Sequence, residues 1–194
     1  MLNSNDKHEL KIRRLHPLIG AEVTNVDFKE PLQASIVEKI HQAWMDYQIL
    51  VFPSQKISDE QHVAVTRNFG EPEIFHQSII KSKFVKEIFR VSNTDEDGRL
   101  MPQSHPIQQQ LSSAKKWHTD SSYRPIPAMG SLLHGIQVSR TGGLTCFTNM
   151  YEVYDALPEQ LRRRIEGKKC RHDFENLSRI TGARKPTEKE RDAM

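Results

Sequence analysis

Between Gln33 and Tyr47 the apolar residues Ile36, Ile40 and Trp44 recur every fourth position, with Val37 and Tyr47 alongside. This spacing gathers them on one face of a 3.6-residue turn, so the segment reads as an amphipathic helix. The rhythm then changes. Ile49-Leu50-Val51-Phe52 is a short β-branched and aromatic run stopped by Pro53, and it reads as a buried strand. Ser58 and Gln61 have the spacing of a capping box, in which the hydroxyl accepts an N-terminal amide and the Gln side chain reaches back. A second helix is expected there, with Gly70 after Phe69 as its left-handed stop.

Further along, Glu87 to Ser92 reads as a strand leading into the turn Asp95-Glu96-Asp97-Gly98. Gly130 to Val138 is mostly apolar and reads as another strand; Thr141-Gly142-Gly143 reverses the chain into a strand from Leu144 to Met150, in the manner of a hairpin. Pro158 at a first turn and Gly167 as a stop frame a short helix, after which Lys168 to Phe174 reads as one more strand. From Arg179 onward the chain is polar and turn-rich, with no closing strand or cap, and the ending reads as abrupt. The pattern holds no internal repeat. It predicts a mixed α/β chain, mainly β.

Composition narrows the class more than it identifies it. A length of 194 residues suits one domain or the larger share of a somewhat longer one, and 36% hydrophobic residues are enough to bury a core, which argues against disorder throughout. The N-terminal MLNSNDKHELKIRRLH has no apolar run resembling a secretory segment, and no later stretch is long enough to cross a bilayer, so a cytoplasmic protein without membrane contact is expected. Cys146 and Cys170 are the only cysteines and lack metal or disulfide spacing; both are expected to be buried thiols. The net charge of +3 resides at one end, because Arg162 to Met194 holds eleven Lys/Arg against six Asp/Glu. Such a run leaves a nucleic-acid binder open as an alternative, but without interleaved aromatics a solvated face is the better reading.

Candidate chemistry lies in Lys116-Trp117-His118-Thr119-Asp120-Ser121-Ser122-Tyr123. In an extended segment residues two apart point to the same side, so His118 and Asp120 would present an imidazole and a carboxylate together. Joined by a second imidazole, such a pair makes the facial triad that holds iron(II) and leaves other positions open. The bare pair is weak evidence, since nine His and ten Asp in this length give about 0.5 such pairs by chance. A plain surface pair therefore stays open on these two residues alone.

The neighbours add weight. Trp117 to Tyr123, then Gly142-Gly143-Leu144-Thr145-Cys146-Phe147-Thr148-Asn149-Met150, then Tyr154-Asp155-Ala156-Leu157-Pro158, resemble the TauD/TfdA dioxygenases. So does the start, where Ile19-Gly20-Ala21-Glu22-Val23, Val26-Asp27, Ile49 to Phe52 and Phe69-Gly70-Glu71-Pro72 are similar to the family's N-terminal layout. The resemblance implies a single domain over 1–194, with a double-stranded β-helix, or jelly roll, flanked by helices. It also implies an Fe(II)- and 2-oxoglutarate-dependent dioxygenase that hydroxylates a small anionic molecule and releases succinate and carbon dioxide. Its partners would be the substrate and dioxygen; association into a homo-oligomer is left open.

By that resemblance His118 and Asp120 match the first two iron ligands, and Thr145 matches a hydroxyl that contacts a 2-oxoglutarate carboxylate, although Thr is also at home in any strand. The family's second histidine ligand and its 2-oxoglutarate-binding arginine lie downstream of anything matched here. The jelly roll is therefore expected to be incomplete at the C-terminus, and the 194-residue chain alone weakly active or inactive. His134 matches no ligand and His172 matches a recurrent non-ligand histidine, so both are expected to serve in packing. Substrate candidates are His76, near a family substrate-binding histidine although an ungapped match puts Phe75 there, with Asn93 and Tyr123. A turn role competes at Asn93 and core packing at Tyr123. A catalytically silent relative or binding module of the same fold remains the other alternative.

Overall fold

In the stretch Ala21-Glu22-Val23-Thr24, alternate side chains turn inward, and Ala21 and Val23 are fully buried while Glu22 and Thr24 are half-covered. This strand, β2 (Ala21–Thr24), is the centre of a three-stranded sheet in a computed structural model that describes residues 9–75, 85–95, 97–112, 116–181 and 185–192. The chain divides into two compact units, one of Met1–Glu71 with His134–Lys168, the other of Pro72–Leu133 with Lys169–Met194.

In the first unit β1 (Lys11–Arg14) runs antiparallel to β2, pairing Lys11 with Thr24 and Arg14 with Ala21. A six-residue turn ends at Gly20, whose φ of +90° suits a residue without Cβ, and the Leu15 amide donates to the Gly20 carbonyl at 2.9 Å. Helix α1 (Ala34–Tyr47) crosses over to β3 (Leu50–Val51), which lies parallel to β2 with Ala21 opposite Leu50. The expected stripe is realised: Ile40 and Ala43 are buried, Ile36, Val37, Trp44 and Tyr47 half-buried, and the Trp44 ring meets Phe69 edge-on at 6.2 Å. The expected buried strand at Ile49–Phe52 shortens to β3, an edge strand whose Val51 is exposed, because among the described residues only one side of it has a partner.

Helix α2 (Asp59–Arg67) carries the expected capping box, with Ser58 Oγ accepting from the Gln61 amide at 3.2 Å and Gln61 Oε1 accepting from the Ser58 amide at 2.9 Å. Its end differs from expectation. Asn68 closes it, donating from its side-chain amide to the carbonyls of Ala64 and Val65 at 3.1 Å each, so the last turn is satisfied two residues before Gly70. Gln55, in the loop between β3 and α2, joins it to the loop before α1, accepting from the Phe28 amide and donating to the Val26 carbonyl, both at 3.0 Å.

The described residues form three strands and seven helices. Mixed α/β therefore holds, but among them helices outweigh strands. None of the segments expected as strands at Glu87–Ser92, Gly130–Val138, Leu144–Met150 and Lys168–Phe174 joins a named ladder among the described residues. Two of them are overtaken by helix starts. Asn149 Oδ1 accepts from the Tyr151 amide at 3.0 Å and commits Met150 onward to α4 (Met150–Asp155); Asp173 Oδ1 accepts from the amides of Glu175 and Asn176 and opens α6 (Phe174–Thr181). Gly142 and Gly143 are both left-handed, as the expected reversal requires, and Gly167 at φ +67° follows α5 (Glu159–Ile165) as its stop.

In the second unit the expected turn Asp95-Glu96-Asp97-Gly98 has Glu96 outside the described residues; around it Asp95 Oδ1 accepts from the Asp97 and Arg99 amides, and Thr94 bridges Leu100. A short helix α3 (Pro106–Ser112) follows, and the chain's polar end forms α7 (Glu188–Asp192), where only turns were expected. Arg191 reaches Glu175 on α6 at 2.9 Å. Cys146 and Cys170 are exposed, contrary to expectation, because the segments around them have no covering layer among the described residues. No helix of the described residues is long and apolar enough to cross a membrane.

Candidate metal centre

Trp117-His118-Thr119 belongs to no helix or ladder, and a turn opens at Asp120. Across this short span the two polar side chains converge, with His118 Nε2 3.3 Å from Asp120 Oδ1. Both are accessible, 46% and 59% exposed, so a solute ion can reach the gap between them.

What surrounds the pair decides its protonation pattern. His118 Nδ1 lies 2.7 Å from the Lys116 carbonyl oxygen, which can only accept, so that nitrogen carries the proton. In the neutral ring the Nε2 lone pair then faces Asp120 Oδ1. Two acceptors at this separation repel unless a proton or a cation sits between them. Ser131 Oγ donates to the other carboxylate oxygen, Oδ2, at 2.7 Å, which fixes the rotation of the carboxylate and leaves Oδ1 for the gap.

The arrangement fits a first-row divalent ion. Donors bound about 2.1 Å from one ion and at right angles lie about 3 Å apart, close to the observed separation. Among the described residues no group of three or more His, Cys, Asp or Glu side chains converges to hold a metal.

The other candidates divide between the units. Thr145 is exposed in the segment between the Gly142-Gly143 turn and α4, in the first unit. His134, in the same unit, approaches the Gln55 carbonyl through Nε2 at 3.1 Å and meets the His62 ring edge-on, a packing role. In the second unit, His172 Nδ1 pairs with Ser122 Oγ at 2.8 Å. Asn93 is exposed and its carbonyl accepts from the Met101 amide at 2.9 Å, beside the antiparallel bridge of Thr94 with Leu100. Tyr123 packs on Phe174 with ring centroids 4.9 Å apart, and burial raises its hydroxyl pKa above the usual value, opposed by a hydrogen bond with Arg124. His76 lies outside the described residues. Sequence reasoning missed Ser131, Glu73 and Arg124. Nothing local to Ser131 or Glu73 marks them, since their partners stand eleven and 48 residues away.

The chain belongs to the taurine catabolism dioxygenase TauD, TfdA family, whose model matches residues 11–194. It is 32% identical over 184 residues to the alpha-ketoglutarate-dependent 2,4-dichlorophenoxyacetate dioxygenase of Cupriavidus pinatubonensis, covering 93% of this chain and 64% of that protein. To the (S)-phenoxypropionate/alpha-ketoglutarate-dioxygenase of Sphingobium herbicidovorans it is 34% identical over 165 residues, covering 84% of this chain and 53% of that one. Among solved structures, AAD-2 in complex with Mn(II) and N-oxalylglycine superposes with a TM-score of 0.80 at 29% identity, over 95% of this chain and 65% of AAD-2. The chain thus spans just under two thirds of the length of the first of these relatives, and about half of the second.

Proposed function

We propose that this chain is the iron-binding part of an Fe(II)- and 2-oxoglutarate-dependent dioxygenase that hydroxylates a small anionic organic molecule and converts 2-oxoglutarate to succinate and carbon dioxide. The observation that carries the reading is the convergence of His118 Nε2 and Asp120 Oδ1, 3.3 Å apart and open to solvent. A bound iron(II) would supply dioxygen activation, which no side chain performs by itself. His118 and Asp120 would hold it, the Lys116 carbonyl would keep the imidazole proton on Nδ1, and Ser131 would hold the carboxylate rotation. Thr145 would donate its hydroxyl to a 2-oxoglutarate carboxylate, and Tyr123, Asn93 and His76 are the residues proposed to meet the substrate.

The finer fold proposed is a double-stranded β-helix with flanking helices in one domain; support comes from the likeness to AAD-2 and from a single family match running over 11–194. The relatives named for phenoxy acids support an aryloxy carboxylate as the substrate class. A cytoplasmic location is proposed on the same family grounds.

The test is succinate release in the protein that carries this chain, with iron(II), 2-oxoglutarate and 2,4-dichlorophenoxyacetate supplied. Release should require all three and should vanish in His118→Ala and Asp120→Ala. Full activity in either variant removes the pair from the site.

A further inference from the structure

Directly after Asp120 the chain makes a tight turn from Ser121 to Arg124, closed by the Arg124 amide donating to the Ser121 carbonyl at 3.0 Å. Ser121 enters it at φ +51°, a left-handed conformation that a residue with a Cβ avoids unless something holds it. One side chain contacts both ends of this turn. Glu73 Oε2 accepts from Ser121 Oγ at 2.6 Å, and Glu73 Oε1 pairs with Arg124 Nε at 3.0 Å. The first is a short charge-assisted bond. The second joins side chains only 24% and 20% exposed, where solvent screens less than on an open surface.

Resting on the metal reading above, we propose that Glu73 is a positioning residue: by clamping Ser121 and Arg124 it sets the backbone from which Asp120 projects toward the metal. Ser121 is peptide-bonded to Asp120, so relaxation of its φ would swing the Asp120 carbonyl and side chain together. Ser131 fixes the carboxylate rotation and Glu73 fixes the backbone beneath it, two separate constraints on one ligand. Glu73 Oε2 is held by the Ser121 hydroxyl and Oε1 by its ion pair with Arg124, a charge contact that makes no hydrogen bond.

Cobalt(II) alone serves as the probe, titrated by its visible absorption into the metal-free protein that carries this chain, as wild type, His118→Ala, Glu73→Ala, Glu73→Gln and the double variant Glu73→Ala/Ser121→Gly. Glu73→Ala should weaken cobalt binding about 10-fold, the range seen when an outer partner of a ligand is lost. Ser121→Gly should restore most of that affinity in the double variant, because glycine adopts the left-handed turn without a clamp. A general loss of folding would not be rescued in this way. Should Glu73→Ala fail to fold, Glu73→Gln, which keeps an oxygen for Ser121 and drops the charge facing Arg124, should still show a smaller loss. Wild-type affinity in both Glu73 variants, or no rescue by Ser121→Gly, overturns the clamp while leaving the metal reading intact. A wild-type protein carrying this chain that binds no cobalt, or binds it equally in His118→Ala, sinks the metal reading and the clamp with it.

Discussion

Tyr123 stands three residues past Asp120, half-buried against Phe174, and its hydroxyl shares the neighbourhood of Glu73 and Arg124. Burial is the main cause that raises its pKa above the ordinary 10.0; a hydrogen bond with Arg124 opposes it, and the negative charges of Glu73 and Asp120 add to the rise. The sign of the linkage follows. The folded state keeps the proton when the unfolded chain has begun to lose it, so this contribution to stability is whole below pH 10.0 and fades as pH rises above it. Urea midpoints measured about one unit either side of that pH should drop less in Tyr123→Phe than in the wild type, and an equal drop would remove Tyr123 as a cause. The convergence of His118 with Asp120 was legible at this scale because a two-residue spacing carries its own geometry. The thiols of Cys146 and Cys170 were misread because burial belongs to what packs over a residue, and residue type alone records only a tendency.

Helix ends, more than helix interiors, separate what was read correctly from what was not. At α2 the Ser58–Gln61 box was legible, since both bonds are local and their spacing is fixed. Ser58→Ala leaves the Gln61 amide without its acceptor and should cost about 1 kcal/mol, seen as a lower urea midpoint with unchanged slope. A midpoint equal to wild type would mean that water serves the amide as well. The same logic was available at Asn149 and Asp173 and was passed over in favour of strands, although each is an Asx residue placed to cap the amides two and three positions on. For Gly130–Val138 and the chain before Asn149 the failure has a different source. Apolar β-branched content marks a segment that suits a strand, but a ladder also needs a second chain segment in register, and the segment's own residues do not encode that partner. The Gly142-Gly143 reversal between them was legible for the opposite reason: two consecutive left-handed residues need no distant partner.

Across the whole molecule, apolar burial is uneven. Leu10, Ala21, Val23, Phe28, Ile40, Ala43, Val63 and Val65 form the buried hydrophobic core of the described residues, and all eight precede residue 66. Over the later stretch the balance is reversed: Leu133, Ile136, Val138 and Leu144 are 72%, 81%, 77% and 88% exposed. Burial of apolar surface is the chief force opposing local opening, and backbone amides in ladders or helices packed on a core exchange only when that packing is breached. Amides of β2, α1 and α2 should therefore exchange slowest, with protection approaching that of global unfolding. Those of 131–148 should exchange within the fastest class despite an apolar composition that, read alone, suggests a core. Hydrogen exchange followed by mass spectrometry on peptides from 20–67 and from 131–148 makes the comparison within one sample. Equal protection in the two sets would mean that the later segment is covered in solution, and the exposure of Leu144 and its neighbours would then have to give way to a packed sheet.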